Sequence, residues 1–172
     1  MKVVLDSNII IAALAARGLS YAVYELCLKE HEIVVSDKLL EEVESALKSK
    51  LKMPPELASI FVDLIKRSSV VGTSAVVDES ACRDRNDLHV LGLAEKAKAG
   101  MIITGNDDLL EIRSFKGTPV LSPREFWMRE RKKDTRSFGP GEATKPKKIH
   151  EGSGAKYGVR REAIPGQKGG AK

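Results

Sequence analysis

The chain predicts an α/β domain: a three-layer α/β/α sandwich around a central parallel sheet of about five strands. Two observations carry this. Short β-branched runs recur along the sequence, and amphipathic helical periods fall between them with short connections. Such alternation implies right-handed βαβ crossovers, which set the strands parallel and cover both faces with helices. With 172 residues, 42% of them hydrophobic, the chain is long enough to bury the core of one such domain.

The first strand candidate is Lys2 to Leu5. The apolar run Ile9 to Ala16 is read as part of the domain and not as a signal-peptide core, because Asp6 and Asn8 interrupt its approach and only Lys2 precedes it as a cation. Leu19, Ala22, Val23, Leu26 and Cys27 then follow helical spacing. Ile33 to Ser36 is the second strand, and Ser36-Asp37 starts a helix that runs to Lys50. Leu57, Ile60, Phe61, Leu64 and Ile65 form the apolar stripe of another helix, opened by Pro54-Pro55. Ser69 to Val71 is a third strand. Asn86-Asp87 opens a helix to about Lys98, and Met101 to Thr104 and Pro119 to Leu121 complete the strands. The last helix follows Ser122, with Pro123 in its first position and Glu125 placed to close a capping box.

After Trp127 the apolar period fades, so the domain is assigned to residues 1–128. Residues 129–172 are a basic helix end followed by a Gly/Lys-rich tail, expected to be disordered beyond about residue 134. The net charge of +5 belongs to this tail. From Arg129 onward 13 Lys/Arg stand against 5 Asp/Glu, a balance of +8, whereas Met1 to Met128 carries 16 against 19, or −3. That asymmetry suits a polyanionic partner, whose phosphates Lys132, Lys133, Lys145, Lys147, Lys148, Arg160 and Arg161 would contact, or else a solvated tail. Cys27 and Cys82 make no disulfide framework and no Cys/His cluster for zinc, which fits a cytoplasmic setting. No apolar stretch approaches the ~18 residues that would span a bilayer, so no membrane partner is expected.

In an open parallel sheet ligands bind beyond the carboxyl ends of the strands, and acidic residues collect there. Asp6 follows the first strand directly. Asn106, Asp107 and Asp108 follow the fourth through Gly105. Two helices add more. On the wheel of Ser36 to Lys50, Glu42 and Glu44 flank the buried face on opposite borders and are tied, with Glu41 nearly opposite. Asp87 lies one turn below Val90, Leu91 and Ala94, on the apolar side, so its carboxylate needs a hydrogen bond, a capping role or a cation. Taken singly, Asp84, Asn86, Asp87, Asp107 and Asp108 read as helix caps, worth ~1 kcal/mol each. Taken jointly, converging carboxylates raise one another's pKa and destabilise the fold unless a metal neutralises them. Oxygen-only ligands favour Mg²⁺ or Mn²⁺ over zinc. The three histidines are scattered, and His89 is read as a solvent or core histidine. A G-x-S-x-G elbow, a Walker loop and a GxGxxG turn are all missing.

The order Leu5-Asp6-Ser7-Asn8-Ile9, Ser36 to Val43, Asp84 to Ala94 and Ile103 to Leu110 resembles PIN-domain nucleases, and most of all their toxin-type subgroup. The resemblance extends over most of residues 1–128. It implies a PIN-like fold whose acidic pocket binds one or two divalent ions and cleaves RNA. Asp6, Glu42, Asp87 and Asp108 would then be the catalytic and metal-holding residues, with Glu42 preferred to Glu44. Asp84 would be an associated acid, and Asn8, Thr104 and Asn106 would orient ligands and water. The family pattern after the fourth strand is Thr-Gly-Asp-x-Asp-Leu-Leu, whereas here its first aspartate is Asn106, which removes one negative charge. The resemblance further implies an antitoxin partner and a homodimer. The rival from another class is a degenerate domain that binds RNA or protein without turnover. A phosphatase using Asp6 as nucleophile ranks last, because Asn8 stands where its acid/base aspartate belongs.

Overall fold

A computed structural model of the chain describes residues 1–137. Strands β1 (Lys2–Leu5), β2 (Glu32–Val35), β3 (Val70–Val71), β4 (Met101–Ile103), β5 (Ser114–Phe115) and β6 (Thr118–Leu121) form one sheet in the order β3-β2-β1-β4-β6-β5. All pairings are parallel except that of β5 with β6. The helices are α1 (Ser7–Ala15), α2 (Leu19–Glu30), α3 (Asp37–Ser49), α4 (Pro55–Arg67), α5 (Leu88–Ala97), α6 (Asp107–Ile112) and α7 (Pro123–Ser137).

The chain first travels outward from β1 to β2 and β3, laying down α1 to α4; α1 packs on both α2 and α3, and α3 on α4. It then crosses back past β1 to β4. A right-handed crossover in the reverse direction of travel puts α5 on the opposite face, where it packs on β1, β2 and β4. The strand order therefore switches between β1 and β4, which are hydrogen-bonded neighbours. A crevice at that point is where such sheets bind ligands.

Burial explains why these segments became strands. Val3, Val4, Leu5, Ile33, Val34, Val35, Met101, Ile102 and Ile103 are all almost wholly inaccessible, as continuous apolar strands covered on both faces must be. Phe126 of α7 is also fully buried, and α7 packs on α2. Gly92 in mid α5 permits a close approach: a Cβ there would overlap the carbonyl oxygen of Ala75, whose N–H donates to Gly92 O at 2.9 Å. This contact fixes α5 against the extended segment that follows β3.

Six strands replace the expected five. The addition is β5, which forms a hairpin with β6 through Lys116-Gly117, both at positive φ (46° and 85°). That turn matches the right-handed twist of the two strands. Two helices also lacked an assignment from periodicity, α1 within the apolar run after Asp6 and the six-residue α6. The helix opened at Pro123 continues to Ser137. Lys132 is exposed on it, Lys133 lies on it, and Lys145, Lys147, Lys148, Arg160 and Arg161 fall outside the described residues, as does the tail expected to be disordered. Among the described residues no single helix is long and apolar enough to cross a membrane.

Candidate active site

The site begins with Asp6, the first residue past β1 and only 5% exposed. Its backbone caps α1, but its carboxylate makes no capping bond and is held by side chains. Asp6 Oδ2 accepts from Asn8 Nδ2 at 2.8 Å and from Thr104 Oγ1 at 2.6 Å, while Ser7 Oγ donates to Oδ1 at 3.3 Å. Asn8 also uses its other end, Oδ1 accepting from Gly105 N at 3.1 Å. The loops after β1 and β4 are thus laced together. Three donors around one buried carboxylate also satisfy the charge that burial would otherwise penalise.

The loop after β4 supplies the second part. Thr104 Oγ1 accepts from Asn106 N at 2.9 Å. Asn106 Oδ1 then accepts from Asp108 N at 3.0 Å and so caps α6. The amide end of Asn106 donates to Asp87 Oδ2 at 2.6 Å. Asparagine therefore places a donor here, where an aspartate would place another negative charge.

Asp87 stands at the junction of a short 3-10 turn, Arg85–Asp87, with α5. Asp84 caps that turn, its Oδ1 accepting from Asn86 N at 2.8 Å. The Asp87 side chain caps nothing, which leaves it turned to other work. Carboxylate oxygens of Asp84, Asp87 and Asp108 lie within 4.8 Å of one another. Desolvation, followed by the charges of Asp6, Asp84 and Asp108, pushes the Asp87 carboxyl up to about 6. Burial, followed by the charges of Asp87, Asp108 and Asp84, raises the thiol of Cys82. Arg83 forms an ion pair with Asp108 Oδ1 from an exposed position and partly offsets this charge.

Glu42 comes from α3. His89 Nε2 lies 2.9 Å from Glu42 Oε1, and the imidazole is 8% exposed. Burial holds the His89 pKa below its usual value against the opposing pull of Glu42 and Asp6. A neutral imidazole must carry its proton on Nε2 to make this contact, because a carboxylate only accepts. His89 is therefore neither a solvent nor a plain core histidine, as the sequence suggested, but the anchor of Glu42. Glu44, its rival on the helix wheel, pairs instead with Lys48 at 2.7 Å.

Of the expected residues, Asp87 and Asp108 converge with Asp84, whose oxygen is as near as theirs. Asp6 is close enough to act on both Asp87 and His89, and Glu42 joins through His89. Asn8, Thr104 and Asn106 make the connecting hydrogen bonds. Arg83 escaped the sequence reading, and the role of His89 beside Glu42 did too, because the sequence offers no local pattern for either.

A doubly wound sheet that gathers Asp84, Asp87 and Asp108 near Asp6, beyond the ends of β1 and β4, is an α/β domain with an acidic cluster at its switch point. Residues 2–108 match the family model described as the PIN domain, and the chain belongs to that family. Among solved structures, the chain is similar to VapBC2 from Rickettsia felis bound to a DNA fragment from their promoter, with 16% identity, a TM-score of 0.52, and 71% of this chain and 98% of that chain covered. It is also similar to VapBC-1 from nontypeable Haemophilus influenzae, with 18% identity, a TM-score of 0.50, and 72% and 99% covered. PAE2754 from Pyrobaculum aerophilum gives 18% identity, a TM-score of 0.53, and 75% and 88% covered. At these identities the likeness is one of fold. No curated protein sequence matches the chain.

Proposed function

We propose that this chain is a divalent-metal-dependent ribonuclease that hydrolyses RNA phosphodiester bonds, and that it is the toxin of a toxin–antitoxin pair. The observation that carries the reading is the approach of the Asp84, Asp87 and Asp108 oxygens to within 4.8 Å beside Asp6. Such a cluster is unfavourable on its own and favourable around a cation. The donor set fits Mg²⁺ or Mn²⁺, with Asp6, Glu42, Asp87 and Asp108 as its holders and Asp84 adjacent. When bound, the ion supplies an acidified water and neutralises charge developing on the phosphate.

The chain's own residues prepare that chemistry. Asn8 and Thr104 hold Asp6 in one orientation, and His89 does the same for Glu42. Asn106 fixes one oxygen of Asp87 and leaves the other available. Outward Lys and Arg, including those of the basic tail, would gather RNA without choosing its sequence. The VapBC neighbours are the support for an antitoxin partner, and a homodimer and a cytoplasmic setting belong to the same proposal.

The test is cleavage of a structured RNA by the full chain with Mn²⁺, repeated with Asp6→Asn. Cleavage by the parent and its loss in the variant are expected, and equal cleavage by both overturns the assignment. A second reading, a domain that binds RNA or protein without turnover, is favoured by one feature: Asn106 and Arg83 already engage oxygens of Asp87 and Asp108. An Asn106→Asp variant that cleaves where the parent does not would establish it, and a parent that already cuts rules it out.

A further inference from the structure

Beside the carboxylates lies a groove of about 490 Å³ between α1 and α3 that has only Ser7 and Glu42 in common with the site as described. Ser7 and Ile11 form its α1 wall, and Lys38, Glu42, Ser45 and Lys50 are among the residues of α3 and its C-cap that form the other. Lys38, Glu42, Ser45 and Ser49 follow i, i+4, i+7 and i+11 spacing, one stripe along the helix. From Lys38 to Lys50 the stripe rises ~18 Å at ~1.5 Å per residue.

The groove shares Glu42 with the site, and Ser7, the residue after Asp6, bonds Asp6 Oδ1. It is therefore continuous with the place where a phosphate would react. Its cations are also available. The other lysines of α3 and α4 are committed, Lys48 to Glu44 and Lys66 to Asp37, whereas Lys38 and Lys50 form no ion pair among the described residues. The Ser45 side chain makes no hydrogen bond among the described residues, although its carbonyl accepts from Ser49 Oγ. Glu41 and Glu42 also line the groove, so the attraction for phosphates is local to Lys38 and Lys50 at its two ends and does not come from a net positive charge. Unpaired lysines at either end, a hydroxyl between them and the apolar face of Ile11 opposite suit a polyanion with intermittent apolar surface. A single nucleic-acid strand has that chemistry.

We propose that the α1–α3 groove is the track along which the flanking part of a single RNA strand lies, with Lys38 and Lys50 contacting its phosphates on one side of the reacting bond. This rests on the ribonuclease reading for its direction into the site, but not for its measurement.

Binding of a fluorescent single-stranded oligoribonucleotide to the full chain is followed by anisotropy in EDTA, across a NaCl series, for the parent, for Lys38→Ala/Lys50→Ala and for a control, Lys29→Ala/Arg67→Ala, at the opposite edge of the sheet. The tail is the same in all three. The groove variant is expected to bind several-fold more weakly at moderate salt. The slope of log K against log[NaCl] should become shallower by about 1.4, at roughly 0.7 per phosphate contact on a single strand. Neither should change in the control. An unaltered slope in the groove variant, an equal loss in the control, or no binding by the parent each overturns the track. Cleavage with Mn²⁺ separates this from failure of the function: a parent that cuts and a groove variant with unchanged KM refute the track alone, whereas a parent that never cuts but shows the slope change refutes the ribonuclease reading alone.

Discussion

Thr104 donates to Asp6 across 98 residues of sequence, at 2.6 Å, from a side chain with no exposed surface. The bond joins the ends of β1 and β4 at the switch point, and it sets which lone pairs of Asp6 remain for a cation. Thr104→Val keeps the shape and removes the donor. On the ribonuclease reading, affinity for Mn²⁺ should fall roughly 10- to 100-fold, the scale seen when a partner of a metal ligand is lost. Thr104→Ser should restore it. Calorimetric titration of the variants checks this, and a valine variant that binds as tightly as the parent refutes the role.

Asp87 is held among like charges, so its negative form costs stability when no cation is present. Asp87→Asn should therefore raise the thermal midpoint of the metal-free protein, since asparagine can still accept from Asn106. The same change should shrink the further rise that Mn²⁺ gives the parent, because that rise measures binding to the folded state. Thermal melts with and without Mn²⁺ report both, and a lowered metal-free midpoint contradicts the account.

Gly92→Ala pushes a methyl group into the Ala75 carbonyl. Backbone on both sides leaves little room to yield, so about 1–3 kcal/mol of destabilisation is expected from overpacking. Because α5 carries His89 and follows Asp87, metal binding should weaken as well. Urea unfolding measures the first, and a loss under ~0.5 kcal/mol means that the segment after β3 is not pressed against the helix as described.

At the start of α7 Ser122 and Glu125 form the reciprocal box anticipated from their spacing: Glu125 Oε2 accepts from Ser122 N at 2.8 Å, and Ser122 Oγ accepts from Glu125 N at 3.2 Å. Ser122→Ala should cost ~1 kcal/mol near neutral pH. These bonds hold the Glu125 carboxyl below its ordinary 4.5, so its contribution is present above that value and is lost as pH falls through the lower folded value. The difference between parent and variant should accordingly narrow below about pH 4.5. A gap constant from pH 7 to pH 3 excludes the carboxylate from the box.

Much of the architecture was readable because its signals are local. β-branched runs marked β1 to β4, and Ser36 and Ser122 announced α3 and α7 as caps and do cap them. What escaped had no period to display. Around α1, Ile9, Ile10 and Ile11 point in three directions and each meets other side chains, so no polar face interrupts the run. β5 is two residues long and owes its existence to the turn at Lys116-Gly117. The acids of the pocket could be collected from their positions after strands, but their arrangement could not. Asp84 reads as a cap and is one, yet its carboxylate also borders Asp87 and Asp108. His89 acquires its role from Glu42, which lies far off in sequence and is supplied by a different helix.

Asp6 follows the first strand directly, whereas Asp108 arrives only after four strands have been laid down. On the ribonuclease reading, a ribosome-bound fragment that stops at α5 lacks both Thr104 to steady Asp6 and the last carboxylate. Such a nascent chain would be inert toward the very message being translated, and cutting power would appear abruptly once the loop beyond β4 had emerged and docked.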